Sequence, residues 1–286
     1  GAGLAITEHR PSSTDRSVYG WRYRALRRDL KRAGGRAVVS TPFAEALRDY
    51  WRLGAWTSIA LPVNDEVFDV PRPADQDRRG ETGKPLTVCH VSHLGRNKRP
   101  EETIRAVARL ARADLAAGRE PTRLLLVGGE PHEIEPLREL ARVEGIEQTS
   151  TFTGRVPHDE VAGLMAASDV FVLASEVEAG GTVLAEAQAL GLACVATPTW
   201  AGRFMVEPET GVVLPTAAQR DDDALVASLT EALAQVTDSI RAGGYLPEEI
   251  RARARQRFGE ATFVTACREL YEQACNAITG SAESTQ

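Results

Sequence analysis

Several things are scarce in this chain, and each scarcity removes a class of reading. Lysine occurs only at Lys31, Lys84 and Lys98 in 286 residues, so arginine supplies almost all positive charge. That bias fits genome composition better than function, and it makes Lys98 a rare choice. Cysteine is limited to Cys89, Cys194, Cys267 and Cys275, with no Cys-x-x-Cys spacing. The four read as buried small hydrophobes, neither metal ligands nor a disulfide frame. No apolar run nears the roughly 18 residues that span a bilayer, and the first thirty residues carry no secretory signal. A cytoplasmic address follows, with peripheral membrane contact left open. A net charge of −6 argues against a general nucleic-acid binder, which needs basic surface to displace counterions from phosphate.

What is present is an alternating α/β pattern. Strands are expected at "LTVCHVS" from Leu86, "RLLLVG" from Arg123, "STFTG" from Ser150, "DVFVLAS" from Asp169, "ACVAT" from Ala193 and "GVVLP" from Gly211. Helices are expected near 100–117, 132–144, 157–167, 182–190, 222–236, 246–257 and 260–277. Six strands with intervening helices predict one doubly wound parallel-sheet domain over 86–258. The polar, Pro- and Gly-rich stretch 71–85 reads as a linker. Ahead of it, residues 1–70 give a helix in "SVYGWRYRALRRDLKRAG", strands "RAVVS" and "SIALPV", and a helix "PFAEALRDYWRLG". That is half of a second α/β domain, and "GLAITEH" reads as an interior strand, so the chain is expected to start inside that domain. Residues 259–278 form a last helix and 279–286 a disordered tail.

The stretch "SEVEAGGTVLAEA" places Glu178 and Glu186 eight positions apart. Spacing alone says little, because Glu139 and Glu147 share it. Eight residues turn a helix by roughly 800°, so two helical glutamates at that spacing do not point together. Position says more. With a strand ending near Ser175, Glu178 falls in the loop at a strand's carboxyl end, Gly180-Gly181 opens a helix, and Glu186 sits one turn inside it. Ligands of open α/β sheets bind beyond the carboxyl ends of strands, and a glycine-opened helix start offers free N–H groups and a positive dipole end to an anion. A phosphate held there, with carboxylates accepting from sugar hydroxyls, competes with the plainer reading of a turn and a helix bearing exposed glutamates.

"FVLASEVEAGGTVLAEAQALGLACVAT" resembles the donor-binding signature of the retaining nucleotide-sugar glycosyltransferases of GT-B architecture, family four. "LTVCHVSHLGRNKRPEETIRAVARL", "LLLVGGEP", "TFTGRVPHDEVAGLMAASDVFVLAS", "TGVVLP" and "RARARQRFGEATFVTACRELYEQ" fall into the same register, from about Leu86 to Glu272. The resemblance implies a complete C-terminal Rossmann-like donor domain and a partial N-terminal one. It implies that Glu186 binds the donor ribose, that Glu178 lies beside the transferred sugar, and that amides of Gly180, Gly181 and Thr182 hold sugar and diphosphate. Lys98 matches the donor-phosphate lysine, which neutralises charge growing on the leaving group. The backbone at Gly154, Arg155 and Val156 would face the nucleobase. The implied donor is a UDP- or GDP-sugar, with no cofactor and no metal; no Asp-x-Asp pair sits at a strand end. The acceptor, whether glycan, lipid or small molecule, stays open.

The departures are as informative. His93 stands where the family has an arginine partnering the lysine, and Arg96 is the neighbouring candidate for the second charge. Glu178-Ala179-Gly180-Gly181 stands where the family has Glu-Gly-aromatic-Gly, which removes a packing side chain but retains the backbone. Trp200-Ala201 replaces a Gly-Gly pair, leaving Trp200 as stacking surface or core aromatic, and Phe204 replaces a nearby glutamate. His9, in "ITEH", matches a family histidine whose preceding strands are missing here. The missing part belongs either to upstream sequence or to a partner. Two other readings therefore stand beside the transferase: a degenerate or partner-dependent nucleotide-sugar-binding module, and an epimerase or hydrolase on the same fold.

Overall fold

The computed structural model describes residues 4–15, 19–73 and 84–283, with side chains described through Asn276. Residues 74–83, most of the expected linker, lie outside the described part.

Two parallel sheets organise the molecule. The first has the order β1-β2-β3, from β1 (Ala5–Glu8), β2 (Gly35–Val38) and β3 (Thr57–Ser58). The second has the order β6-β5-β4-β7-β8-β9, from β4 (Thr87–Val91), β5 (Arg123–Val127), β6 (Ser150–Phe152), β7 (Val170–Leu173), β8 (Ala193–Ala196) and β9 (Gly211–Val213). All six expected strands form. Strands β7 and β8 are buried at every position, which is why they read as unbroken apolar runs: helices cover both faces of a parallel sheet. Val88, Val170 and Val172 point to one cluster, and Cys89, Phe171 and Leu173 to the other.

In chain order the helices are α1 (Tyr23–Arg32), α2 (Thr41–Trp51), α3 (Asp65–Phe68), α4 (Pro100–Ala116), α5 (Pro131–Val143), α6 (His158–Ala166), α7 (Thr182–Ala189), α8 (Trp200–Met205), α9 (Asp222–Arg241), α10 (Pro247–Phe258) and α11 (Glu260–Glu283). Local chemistry sets their starts. Pro100 opens α4 ahead of Glu101 and Glu102, Glu130 and Glu133 form a capping box on α5, and the Asp221 carboxylate accepts from Ala224 N at 2.7 Å to cap α9. Helices α4, α5 and α9 cover one face of the second sheet. Helices α6, α7 and α10 cover the other.

Around the first sheet, Val38, Val39, Phe43, Leu47 and Trp51 form a cluster under α1 and α2. Helix α11 packs on the sheet through Leu270, buried with Ala37 and Ile59. Gly35 gives it room, since a β-carbon there would lie 2.9 Å from Leu270 Cδ1.

Some elements differ from the sequence reading. Among the described residues β1 pairs with β2 alone and is half-exposed. Of the "SIALPV" run only Ser58 is a strand residue, forming β3 together with Thr57, and by Val63 the chain has left the first sheet, Val63 N donating to Phe258 O at 2.8 Å. Helix α11 continues to Glu283, past the start of the expected tail at 279. Cys89 and Cys194 are buried as read, and burial pushes the Cys89 thiol up to about 12. Cys267 is half-buried, packed at the rim of the Ala37–Ile59–Leu270 cluster, and Cys275 is exposed, so the buried reading does not hold for Cys275. No helix among the described residues is long and apolar enough to cross a membrane.

Candidate active site

In the second sheet the strand order reverses between β4 and β7, which opens a crevice at their carboxyl ends. The loop after β4 begins with a tight turn. Ser92 Oγ accepts from Leu94 N at 3.0 Å and lies 2.9 Å from His90 Nε2. A one-turn 3-10 segment, Arg96–Lys98, follows. The loop after β7 is tied to it by Glu176 N donating to Asn97 O at 2.9 Å. Between the two loops Lys98 Nζ donates to Glu178 Oε2 at 2.6 Å, both side chains about four-fifths covered. The chain's rare lysine and the first signature glutamate thus form an ion pair across 80 residues of sequence.

Helix α7 starts immediately beyond. Gly181 holds φ of 61°, a left-handed conformation that favours glycine, and a β-carbon there would lie 2.7 Å from Ala201 Cβ. Gly180 and Gly181 are buried and Thr182 is exposed. Among the described residues none of the three backbone N–H groups donates a hydrogen bond, so the helix start keeps its anion-binding capacity. Glu186 lies one turn further on. Burial pushes its carboxyl pKa up, with the charge of His158 opposing.

The two glutamates open into different cavities. Glu186 lines one of about 240 Å³ with Asn64, Glu66, His158, Asp159 and Met165. Glu178 lines another of about 220 Å³ with Val177, Thr199, Trp200 and Arg203. The Gly180-Gly181 corner connects the two residues along the chain.

The remaining sequence candidates are dispersed. The exposed His93 ring lies over Gly95, its Nε2 3.2 Å from Asn97 Oδ1. Arg96 is exposed and lines a groove of about 460 Å³ with Glu101, Glu102, Glu133 and Asp222. At the end of β6, Gly154 takes φ of 70° and its carbonyl accepts from Gly128 N at 2.9 Å. Arg155 is exposed and pairs with Glu130 at 3.1 Å, and Val156 packs on the apolar cluster below. His9 is exposed after β1, with only its backbone N–H engaged, donating to Glu8 Oε1 at 2.9 Å.

Sequence reasoning missed the contribution of the first sheet. Ser40 Oγ donates to Ala179 O at 3.1 Å, buried, and Gly180 lies against Val39 and Leu61. Trp200 stacks on Phe43 with centroids 4.7 Å apart and 27° between planes. Trp200 is therefore both a contact between the two units and a wall of the Glu178 cavity. These partners lie more than a hundred residues apart, and no periodicity reports such distances. Thr199 did carry a local signal: its hydroxyl accepts from Gly202 N at 3.1 Å and caps α8.

Two parallel sheets turning their carboxyl ends toward each other, with a lysine–glutamate pair and a glycine-opened helix at the crevice, define a two-unit α/β protein built around an anion-ready cleft. The family model of glycosyl transferases group 1 matches residues 71–256, and the chain belongs to that family. It is 30% identical over 195 residues to a glycogen synthase of Mycobacterium tuberculosis, covering 68% of this chain and 44% of that protein. Over 216 residues it is 31% identical to a GDP-mannose-dependent alpha-(1-6)-phosphatidylinositol monomannoside mannosyltransferase of Mycolicibacterium smegmatis, covering 70% and 53%. The chain thus spans about half the length of these curated relatives. Among solved structures, sucrose-phosphate synthase from Thermosynechococcus elongatus matches with TM-score 0.69 and 24% identity, over 96% of this chain and 68% of that one. Anabaena HepE, solved in complex with UDP and glucose, matches with TM-score 0.64 and 20% identity, over 97% and 72%. The likeness to these structures is one of fold, the GT-B architecture.

Proposed function

We propose that the chain is the donor-binding part of a glycosyltransferase that moves a sugar from a nucleoside diphosphate to an acceptor hydroxyl with retained configuration and without a metal. The observation carrying this reading is the Lys98–Glu178 pair at the switch-point crevice, beside the open start of α7. A diphosphate arriving there takes Lys98 from Glu178, and the lysine then opposes negative charge where it grows on the leaving group. Glu178, released, accepts from hydroxyls of the transferred sugar. The amides of Gly180, Gly181 and Thr182 serve the phosphates, Glu186 accepts from the ribose, and the backbone at Gly154 to Val156 lies against the base. As the anomeric carbon–phosphate oxygen bond breaks and the new glycosidic bond forms, the acceptor proton passes to the leaving phosphate. UDP and GDP are the donor nucleotides we favour, in line with the UDP in the HepE structure and the GDP-mannose in a relative's name.

A thermal-shift panel of uridine, guanosine, adenosine and thymidine diphosphates and their sugar conjugates tests this. One base family should raise the melting temperature by mass action. Lys98→Ala and Glu186→Ala should each weaken that nucleotide about tenfold or more, the loss of a charge-assisted contact. Glu178→Gln should leave the sugar-free diphosphate bound as tightly or more so, because it removes the competitor for Lys98. Unchanged affinity in both alanine variants sinks the assignment.

A specific observation favours the second reading, a binding module without transfer. His93 replaces the family arginine, Arg96 lines a groove with four acids, and Gly180 is covered by Val39 and Leu61. A protein that binds donor yet neither transfers nor hydrolyses it fits that reading.

A further inference from the structure

The most exposed large apolar side chain named in the structure is Trp21, 85% accessible. It begins a segment of unusual charge: from Arg22 to Arg32 there are six basic residues and one acid, Asp29, a net of +5 inside a chain of net −6. Helix α1 has two faces. Tyr23, Leu26 and Leu30 pack inward on the α2 cluster, Tyr23 stacking on Trp51 at 4.8 Å. Arg27 is also spent inward, its guanidinium donating to Trp51 O and Arg52 O. Arg22, Arg24, Arg28, Lys31 and Arg32 are exposed. Of these only Arg28 has an ion pair among the described residues, with its neighbour Asp29 at 3.4 Å. Arg22 lies over the Trp21 ring at 5.3 Å.

We propose that Trp21 and the outer face of α1 form a docking surface for an anionic lipid bilayer. Cationic charge left without counter-charges has a negative surface as its complement. An unburied indole flanked by arginines suits the headgroup region, where one end of the ring is apolar and the other wet. A nucleic acid would also meet the charge but gives no reason for the fully presented tryptophan on an otherwise acidic protein. Topology fixes the orientation. Strands β1 and β2 are parallel neighbours, so α1 runs back between them and its start lies at the carboxyl edge of the first sheet. That edge faces the Gly180 corner. Docking therefore sets the mouth of the cleft beside the membrane, and an acceptor carried in the bilayer follows if the transferase reading holds.

Sedimentation of the 286-residue chain with vesicles tests the surface. Phosphatidylcholine vesicles containing phosphatidylglycerol should bind it, phosphatidylcholine alone should not, and added salt should release it. The variant R24E/R28E/K31E should lose about tenfold or more in vesicle affinity. Trp21→Phe should abolish the blue shift in tryptophan emission seen on binding, and Trp21→Ala should weaken binding several-fold. These side chains point to solvent, so melting temperature and nucleotide binding should stay at parental values, which separates failure of the surface from failure of the donor site. Equal binding to neutral and anionic vesicles overturns the proposal. So does unchanged binding in the charge-reversal variant, or a preference for duplex DNA over anionic vesicles.

Discussion

A histidine buried beneath the cleft couples folding stability to acid. His90 is wholly buried at the end of β4, between Ser92 Oγ at 2.9 Å and Thr103 Oγ at 3.4 Å. Burial, and then the charges of Lys98 and His93, lower its pKa from 6.5 to about 4. Above pH 6.5 the imidazole is neutral folded or unfolded and costs nothing. Between 6.5 and about 4 the unfolded chain binds a proton that the folded chain refuses, so stability is fully present above the unfolded value and is lost as pH falls toward the folded one. The loss approaches about 3 kcal/mol. Melting temperature should fall more steeply over that window in the parent than in His90→Gln, which keeps a polar side chain but has no proton to gain; equal slopes would rule His90 out. The sequence marked His90 only as part of a strand. Its significance comes from complete burial beneath the lysine loop, which no local pattern shows.

Where an element starts can matter more than its length, and α7 is the case in point. Gly181 combines a left-handed φ with a β-carbon position already blocked by Ala201, so Gly181→Ala should destabilise the fold by about 1–3 kcal/mol and tilt the amides facing the crevice. A drop in melting temperature together with weaker nucleotide binding is expected. Substitution without either effect would mean that the corner is not held as described. At this scale much was legible in advance. The six strands of the second sheet announced themselves because burial on both faces forces continuous apolar runs, and α4, α9 and α10 because prolines and acids mark their first turns. The short helices α3 and α8 were not legible: four and six residues are too few for periodicity, and only the caps Asn64 and Thr199 betray them. Strand β3 misled in the opposite sense: of the expected apolar run only Ser58 pairs with β2, and Ile59, Leu61 and Val63 each pack into a different cluster.

For the whole molecule, the contact between units decides whether the cleft can work. Phe43 and Trp200 stack across it, and Ala179 packs among the same residues. The Trp200→Ala substitution should cost about 2–4 kcal/mol for a half-buried aromatic in such a contact. It should also raise protease sensitivity in the 64–73 segment, as the units separate more often. A single sharp transition with unchanged proteolysis would show that the stack does not couple them. The donor loops could be placed from sequence because they sit at strand ends of one sheet. Their partners from the first sheet could not, because Ser40 meets Ala179 only once both units have folded. The geometry of the connections carries one more consequence. The chain crosses between units near Val63 and again at Gly259, and those two residues form an isolated parallel bridge, with Val63 N bonded to Phe258 O. Two crossings side by side act like the pin of a door and leave one easy rotation. Opening the cleft is then a swing about that pin, with α11 carried as part of the moving leaf and the Phe43–Trp200 stack as its latch.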